Sequence, residues 1–185
     1  AFLSVAPKAA GFAMLARFFY VGMSAYDGVS GTVLGGDWPF LLAVISACTM
    51  TLGNLTAIWQ DNLKRLLAYS SIAHAGYMMM GVVMLSAAGL KGIMFYTAAY
   101  LFMNLGAFMV VIVLARKVGS EEISAYKGLG WRSPFIALAM TIFLFSLTGL
   151  PPTAGFIGKV YLFAAVIKGG LYWLAVVGVL NSAVS

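Results

Sequence analysis

The sequence is poor in charged residues and in the residue types that bind metals. Only 9% of its 185 residues are charged, against about 25% in an ordinary soluble domain. One cysteine, Cys48, excludes a disulfide framework and a thiolate metal cluster within this chain. One histidine, His74, excludes haem ligation by two histidines of this chain. The eleven basic residues are scattered, so the net charge of +6 does not indicate nucleic-acid binding.

Apolar residues make up 63% of the chain and are gathered into long continuous runs. A helix that crosses a bilayer core of about 30 Å needs about 20 such residues. No alternating pattern typical of strands competes with this helical pattern. We therefore predict an all-α polytopic transmembrane helix bundle over residues 1–185, with six segments: Phe2–Gly22, Pro39–Trp59, Leu66–Ala87, Gly92–Ala115, Pro134–Lys168 and Leu171–Ser185.

The two ends of the chain and the fifth segment depart from this regular pattern. Ala1 and Ser185 both lie inside apolar runs, so we expect the chain to be an internal part of a longer protein. The last segment is therefore expected to be truncated. The fifth segment is too long for one regular span, and we predict that it is a discontinuous, broken helix.

Basic residues concentrate in alternate loops and predict the orientation of the helices. The loops at 60–65 and 116–132 contain six basic residues, whereas the opposite loops contain Lys91 and Lys168 together with Asp27 and Asp37. The positive-inside rule places the first two loops in the cytoplasm or an equivalent compartment. Within the longer loop, otherwise a solvated connector, Ser120 is predicted to be the N-cap of a short helix.

Charged residues inside the apolar segments are the strongest functional signal in this chain. A lysine at the centre of a membrane helix costs about 2.5–3.5 kcal/mol on insertion scales, so it is rarely accidental. Lys8 lies about 14 residues, or roughly 21 Å, from the far end of the first segment, and Pro7 interrupts the helical hydrogen bonds beside it. We predict a role for Lys8 in proton transfer; the alternative is that its ammonium reaches the near interface. Arg17 is close to a loop, where an interfacial position or an ion pair is expected.

The centre of the fifth segment predicts a break in the helix at membrane depth. Gly149, Pro151, Pro152 and Gly155 lie between two apolar stretches, and proline does not continue a regular helix. Broken helices mark ion and substrate sites in transporters, because unwound backbone is tolerated only against protein or a water-filled cavity. Lys159 follows the break by one turn, and a buried ammonium can alternate between charged and neutral states. We predict that Lys159 carries a proton; a hairpin loop that brings it to an interface is the alternative.

Polar residues of the third segment share one helical face. Ser70, Ser71, His74 and Tyr77 follow one another at spacings of one, three and three residues, and His74 lies near the middle of the span. An imidazole accepts a proton on one nitrogen and releases one from the other, which suits a relay. A lone histidine also commonly serves only as a hydrogen-bond partner between helices, and both roles remain open for His74.

The remaining polar residues of the segments give weaker signals. Helix packing is the expected role of two stripes, one formed by Ser46, Thr49 and Asn54 and the other by Thr97, Tyr100 and Asn104. None of the six segments contains an aspartate or a glutamate, so the buried cations have no carboxylate partner there. We expect such a partner upstream of Ala1 or on another subunit.

Three stretches of the sequence resemble a known family. Gly53–Tyr77, which reads GNLTAIWQDNLKRLLAYSSIAHAGY, is similar to a signature of the antiporter-like membrane subunits of respiratory complex I. Ser146–Lys159, which reads SLTGLPPTAGFIGK, resembles the discontinuous helix of these subunits, and Tyr126–Leu129 fits the same family. The resemblance extends over essentially all 185 residues, and the two long motifs are specific.

The resemblance implies a proton-translocating membrane subunit of NADH:quinone oxidoreductase with no redox centre of its own. In this family NADH, FMN, iron–sulfur clusters and quinone are bound by other subunits, so neither a cofactor nor a metal is expected on this chain. The expected partners are the other membrane subunits of complex I and the lipid bilayer, with no nucleic acid. The implied location is the bacterial inner membrane.

The resemblance also implies roles for single residues. The family has about fourteen spans, of which this chain would cover the eighth to part of the thirteenth. Lys8 matches a lysine of the eighth helix that connects two half-channels, and Lys159 matches a lysine of the broken twelfth helix on the exit side of the proton path. His74 matches a polar position of the tenth helix on the central hydrophilic axis. The family's glutamate–lysine pair of the fifth and seventh helices is not part of this chain.

Two other functions remain open at this point. Multisubunit cation/proton antiporters share the fold, and a sodium/proton antiporter component without a redox partner fits the broken helix and the buried lysines equally well. A purely structural membrane anchor for a redox enzyme is disfavoured, because an anchor does not need buried cations.

Overall fold

The computed structural model describes residues 2–23 and 38–185, and this part of the chain is helical with short connections. Asp27 and Asp37, which entered the prediction of orientation, lie outside the described residues. A π-helix at Phe18–Met23 continues the α-helix that ends at Arg17, and a 3₁₀-helix at Ile123–Tyr126 precedes the short α-helix that starts at Leu129. The α-helices in chain order are α1 (Phe2–Arg17), α2 (Trp38–Ile58), α3 (Leu63–Val83), α4 (Ala87–Val118), α5 (Leu129–Arg132), α6 (Pro134–Thr148), α7 (Ala154–Lys168) and α8 (Tyr172–Val184).

The predicted helical membrane bundle is confirmed. Three of the described helices, α2, α3 and α4, are long and apolar enough to cross a membrane. The shorter apolar helices α6 and α8 lie beside them, and the described residues form no extended strand.

The fourth span is longer than the sequence predicts. α4 contains 32 residues and is therefore about 48 Å long, which exceeds a bilayer core of about 30 Å. Ser86 caps its first turn by accepting a hydrogen bond from the Gly89 amide, so that Lys91, predicted to lie in a loop, is part of the helix. Gly119 ends α4 in the left-handed conformation at φ 78°.

The first segment differs from a regular α-helix in its second half. Pro7 lies inside α1 without ending it, and the six residues after Arg17 form the π-helix. A π-helical turn is wider than an α-helical one, so it changes the angular position of the side chains that follow. The spacing of apolar residues in the sequence does not show this change.

α3 is the most buried of the three long helices and packs against α1, α2, α4 and α7. Its crossing with α2 is close because both helices have a glycine at the contact. A Cβ atom on Gly53 would lie 2.5 Å from the Ala73 nitrogen, and one on Gly76 would lie 2.7 Å from the Met50 nitrogen. Small residues at such crossings allow membrane helices to approach by their backbones.

The predicted break is present between α6 and α7, which confirms the discontinuous helix. α6 ends at Thr148, and Gly149 follows in the left-handed conformation at φ 82°. Pro151 and Pro152 lie in the exposed connection. α7 starts after Thr153, whose side chain accepts a hydrogen bond from the Phe156 amide and so caps the new helix.

The two basic loops lie together at one end of the bundle. The amide of Leu63 donates to the Glu121 carbonyl at 3.0 Å, and the amide of Ile123 donates to the Asp61 carbonyl at 2.9 Å. The Glu121 carboxylate forms an ion pair with Lys64 and accepts a hydrogen bond from the Asn62 amide group at 3.3 Å. We call the contacts of Glu121 with Asn62 and Lys64 the loop clasp.

The loop clasp explains why the prediction for Ser120 is only partly right. The short helix is a 3₁₀-helix that starts later than predicted, at Ile123, and Glu122 occupies its N-cap position. Because Glu121 is paired with the other loop through both backbone and side chain, Glu122 is held in an extended conformation. Ser120 instead accepts a hydrogen bond from the Glu122 amide with its hydroxyl and one from the Tyr126 hydroxyl with its carbonyl.

The loop clasp predicts a pH-dependent contribution to stability. Hydrogen bonding to Lys64 and then to Asn62 holds the pKa of Glu121 below its usual range, because both partners favour the ionised carboxylate. A depressed folded-state pKa stabilises the fold fully above the unfolded-state pKa of about 4.3, and this contribution is lost as the pH falls through the lower folded value. Glu121→Gln should therefore lower the thermal unfolding temperature in detergent near neutral pH and make less difference below about pH 4. Glu122→Gln in the same loop is the matched control, and an equal effect of both substitutions would contradict this role of the clasp.

Candidate functional site

Lys159 is buried where the two halves of the broken helix meet. Its side chain is 2% exposed, and its ammonium donates hydrogen bonds to the Thr148 carbonyl at 2.7 Å and the Ser182 hydroxyl at 2.9 Å. The ammonium nitrogen also lies 4.8 Å from the centroid of the Tyr77 ring, within the range of a cation–π contact. Among the residues that the structure describes, no carboxylate contacts this cation. Lys159 is thus stabilised by neutral groups from three other helices.

Two glycines of the predicted break make room for this arrangement. A Cβ atom on Gly149 would lie 2.9 Å from Cδ of Lys159, so the lysine side chain passes directly against the glycine. A Cβ atom on Gly155 would lie only 1.8 Å from the Ser146 carbonyl oxygen. The two half-helices therefore approach each other at Gly155 more closely than any side chain permits.

Lys8, on α1, forms its hydrogen bonds with a residue of α3. Its side chain is half-buried, and its ammonium donates to both the carbonyl and the hydroxyl oxygen of Ser71, each at 2.7 Å. The Ser71 hydroxyl in turn donates to the Ala68 carbonyl. Lys8 therefore points to α3.

His74 is on α3, between Ser71, which binds Lys8, and Tyr77, which contacts Lys159. It is 1% exposed. Its Nδ1 atom shares a hydrogen bond of 2.6 Å with the Tyr96 hydroxyl, and its ring centroid is 5.1 Å from that of Tyr100. Nε2 of His74 and the Tyr100 hydroxyl are buried without a hydrogen-bond partner of ordinary geometry among the described residues, although Tyr100 approaches the Ser71 side chain. Both ammonium groups, those of Lys8 and Lys159, interact electrostatically with the imidazole.

The predicted polar face of α3 is present with one exception. Ser71, His74 and Tyr77, on successive turns, contact Lys8, the tyrosines of α4 and Lys159 respectively. Ser70 is turned away from this face and lines a separate cavity of about 130 Å³.

The predicted stripe of α4 is divided between contact with His74 and helix packing. Tyr100 contacts His74, and Asn104 is buried one turn further along α4. Thr97 serves helix packing, because its hydroxyl donates to Sδ of Met78 at 3.3 Å.

Several residues at the site were not predicted as functional. Asn54 donates hydrogen bonds from its amide group to the Tyr77 hydroxyl at 3.3 Å and to the Asn181 carbonyl at 3.0 Å. Tyr96, which binds His74, has a sequence signal, since it lies one helical turn before Tyr100. The sequence contains no comparable signal for Asn181 and Ser182, whose partners Asn54 and Lys159 are on α2 and α7. We call Ser71, His74, Tyr77 and Lys159, with Lys8 at the other end, the polar axis.

The Lys159 end of the polar axis faces a cavity of about 570 Å³. Its polar lining includes the Lys159, Ser182 and Thr148 side chains, and aromatic residues such as Phe145 and Phe156 form much of the rest. Lys159 thus borders this cavity at one end of the polar axis, and Lys8 lies at the other end. The arrangement is suited to moving a proton between a half-buried and a buried amine through an imidazole.

Comparison with known proteins relates these residues to one family. The family model described as NADH:quinone oxidoreductase/Mrp antiporter, transmembrane, matches residues 1–185. NADH-quinone oxidoreductase subunit N 2 of Sorangium cellulosum is 56% identical, and its counterpart from Chloroherpeton thalassium is 54% identical. Each match includes the whole of this chain but only 37% and 36% of the respective relative, so the chain spans little more than a third of their length.

Solved structures give the same result for the fold. A chain of respiratory complex I from Thermus thermophilus with bound aureothin is 38% identical, with a TM-score of 0.69, over 80% of this chain and 33% of that one. A chain of the membrane-bound sulfane sulfur reductase, an archaeal respiratory membrane complex, is 27% identical with a TM-score of 0.81. That match includes 95% of this chain and 34% of the other.

The close contact at the break predicts that Gly155 does not tolerate a side chain. Gly155→Ala should destabilise the protein by about 1–3 kcal/mol or more, because the added Cβ meets a backbone oxygen that cannot rotate away. The measurement is the thermal unfolding temperature of the full-length protein in mild detergent, together with its yield in the membrane. Gly130→Ala is the control, since nothing lies within 4 Å of that Cβ position. Unfolding of Gly155→Ala at the wild-type temperature would contradict the observed approach of the two half-helices.

Proposed function

The chain belongs to the NADH:quinone oxidoreductase/Mrp antiporter transmembrane family, and we propose that it is part of a proton-translocating subunit of NADH:quinone oxidoreductase. The curated relatives that it matches are named as subunit N of that enzyme. The chain would work as a non-redox subunit, with NADH, FMN, iron–sulfur clusters and quinone bound elsewhere in the complex. Its partners would be the other membrane subunits and the lipid bilayer, and its location the inner membrane of a bacterium.

The observation that carries this proposal is the setting of Lys159. An ammonium buried at a helix break is costly, and here its partners are a carbonyl, a hydroxyl and an aromatic ring. Such a group can lose its proton without leaving a buried carboxylate unpaired. A structural salt bridge would show the opposite arrangement, with a carboxylate fixed against the lysine.

The polar axis supplies a route between the two lysines. Lys8 donates to the Ser71 hydroxyl, and that hydroxyl donates to the Ala68 carbonyl, away from His74. In this proposal water therefore carries the proton from Lys8 past Ser71 to His74. His74 lies one turn further, held by Tyr96 through one ring nitrogen while the other ring nitrogen is free of protein partners among the described residues. His74 relays the proton to Lys159, which releases it towards the cavity beside it.

Energy for this transfer comes, in this proposal, from NADH oxidation and quinone reduction elsewhere in the complex. Charge changes that begin outside the described helices reach Lys8 first, because it is the end of the polar axis opposite the Lys159 cavity. A proton on one amine then changes the electrostatic energy of the next group along α3.

Removing the Lys159 amine tests the proposal directly. Lys159→Ala in the intact complex should lower the number of protons pumped per electron severalfold, because the exit group of the path is lost. Lys168→Ala is a matched control, since Lys168 ends the same helix and is exposed. Both variants are compared by NADH-driven proton uptake and NADH oxidation in membrane vesicles. An unchanged ratio of protons to electrons in Lys159→Ala would contradict the proposed role.

The sodium/proton antiporter remains the competing function, and a native gel separates the two. The full-length protein is extracted in mild detergent from its own membranes, and the gel is stained for NADH-driven dye reduction. Migration with a large NADH-oxidising assembly is the expected result. Migration in a smaller complex without this activity would favour the antiporter, and sodium-dependent proton flux would then be the next measurement.

A further inference from the structure

Tyr77 occupies the position next to Lys159 where a membrane protein commonly places a carboxylate. Its side chain is fully buried, and its ring faces the Lys159 ammonium at 4.8 Å from the centroid. The ring is also 6.0 Å, centroid to centroid, from that of His74. Tyr77 is therefore the group that both of these proton-carrying residues approach.

The orientation of the Tyr77 ring is controlled from two sides. Phe163, one turn after Lys159 on α7, meets the ring nearly perpendicularly, at 86° and 6.5 Å between centroids. At the other end, the Tyr77 hydroxyl accepts a hydrogen bond from the Asn54 amide group at 3.3 Å. Phe163 thus contacts the ring and Asn54 its hydroxyl, while a face of the ring lies towards the ammonium.

Asn54 is itself fixed by a pair of amides between α2 and α8. Its amide group donates to both the carbonyl and the side-chain oxygen of Asn181, at 3.0 and 3.2 Å. The Asn181 amide group donates to the Thr51 hydroxyl at 3.0 Å, back on α2. The neighbouring residue, Ser182, is the one that accepts a hydrogen bond from Lys159. One contact between α2 and α8 therefore places two partners of Lys159 at once.

We infer that Tyr77 is a positioning residue for Lys159: its ring face takes the place of a counter-ion for the ammonium, and the Asn54–Asn181 pair holds the ring in that orientation. This inference rests on the proposed function, in which Lys159 must change its charge. A ring face attracts a cation through its quadrupole but carries no net charge. It stabilises the ammonium and leaves no unpaired ion behind when the proton departs.

The other groups near Lys159 are titratable side chains or hydrogen-bond acceptors, and none of them among the described residues places a ring face over the ammonium. The titratable groups around it on the packed helices are Tyr77, whose ring it contacts, and His74 on α3. On α4, Tyr96 lies against Gly158, the residue before Lys159, and Tyr100 lies beside His74. α6 and α8 contribute a backbone carbonyl and a hydroxyl. Among these groups, it is the Tyr77 ring whose attraction for the ammonium can be varied with little change in shape.

The decisive experiment lowers the electron density of the aromatic ring at position 77 in steps while its size stays nearly constant. Position 77 is replaced in the full complex by phenylalanine and by phenylalanine analogues that carry one, two and three ring fluorines. Proton pumping per electron is then measured as a function of pH in membrane vesicles. Fluorine withdraws electron density from the ring face and weakens the cation–π attraction, so Lys159 should lose its proton at progressively lower pH. The alkaline limb of the pumping profile is expected to move down stepwise with each fluorine.

Two substitutions complete the series. Tyr77→Phe retains the ring but loses the hydroxyl that Asn54 holds, so its alkaline limb should lie between those of the wild type and Tyr77→Leu, whereas Tyr77→Leu should lower the limb by about one pH unit. Tyr69→Leu, two turns earlier on α3, is the matched control and should leave the limb in place. If Tyr77→Leu fails to assemble on a native gel, the fluorinated series decides alone, because its members differ little in volume.

The possible failures are distinguishable. An alkaline limb that stays constant through the fluorinated series overturns the role of Tyr77, even if Lys159→Ala abolishes pumping as proposed. Equal profiles for Tyr77→Phe and Tyr77→Leu also overturn it, since the ring face would then make no difference. Wild-type pumping by Lys159→Ala overturns the proposed function itself, and the role of Tyr77 with it.

Discussion

The contact between the Lys159 ammonium and the Thr148 carbonyl is the interaction on which the site depends. In a bilayer, the last carbonyls of a helix have no water to accept hydrogen bonds from, so a break at membrane depth needs donors from the protein. α6 ends at Thr148, and Lys159 on the other half of the broken helix supplies such a donor at 2.7 Å. The negative end of the α6 dipole stabilises the ammonium in return. The hydrogen bond thus reduces two unfavourable free energies at once, that of the unpaired carbonyl at the end of α6 and that of the buried ammonium.

α3 connects this contact to the rest of the bundle. α2 crosses it closely at Gly53 and Gly76, where the two backbones meet. Ser46 reinforces the crossing, since its hydroxyl donates to the Gly76 carbonyl at 2.7 Å. With α2 fixed on one side, Ser71 and Tyr77 are turned towards α1 and α7. A single helix therefore sets the positions of both lysines.

The sequence predicts those parts of the site that violate the rules for apolar helices. Lys8, Lys159 and the Gly149–Gly155 stretch are conspicuous because a charge or a proline is costly inside a span. Asn54 gives no such signal, since a single asparagine is ordinary in helix packing, and its partner Asn181 is 127 residues away. The spacing within a helix defines a face but not the helix that it meets. For the same reason the pairing of His74 with Tyr96 required the three-dimensional arrangement of α3 and α4.

The neutral character of the partners of Lys8 and Lys159 follows from electrostatics. The two lysines contact α3 at Ser71 and Tyr77, which are six residues, or about 9 Å, apart along the helix. Two unit charges about 9 Å apart repel by about 2 kcal/mol at an effective dielectric constant of 20. Repulsion of this size disfavours charging both amines at the same time. A carboxylate on either lysine would remove this repulsion but would be left unpaired, at a cost of about 3–5 kcal/mol, whenever its lysine became neutral. Carbonyl, hydroxyl and ring partners stabilise one ammonium at a time, and they permit the charge to pass from one end of α3 to the other.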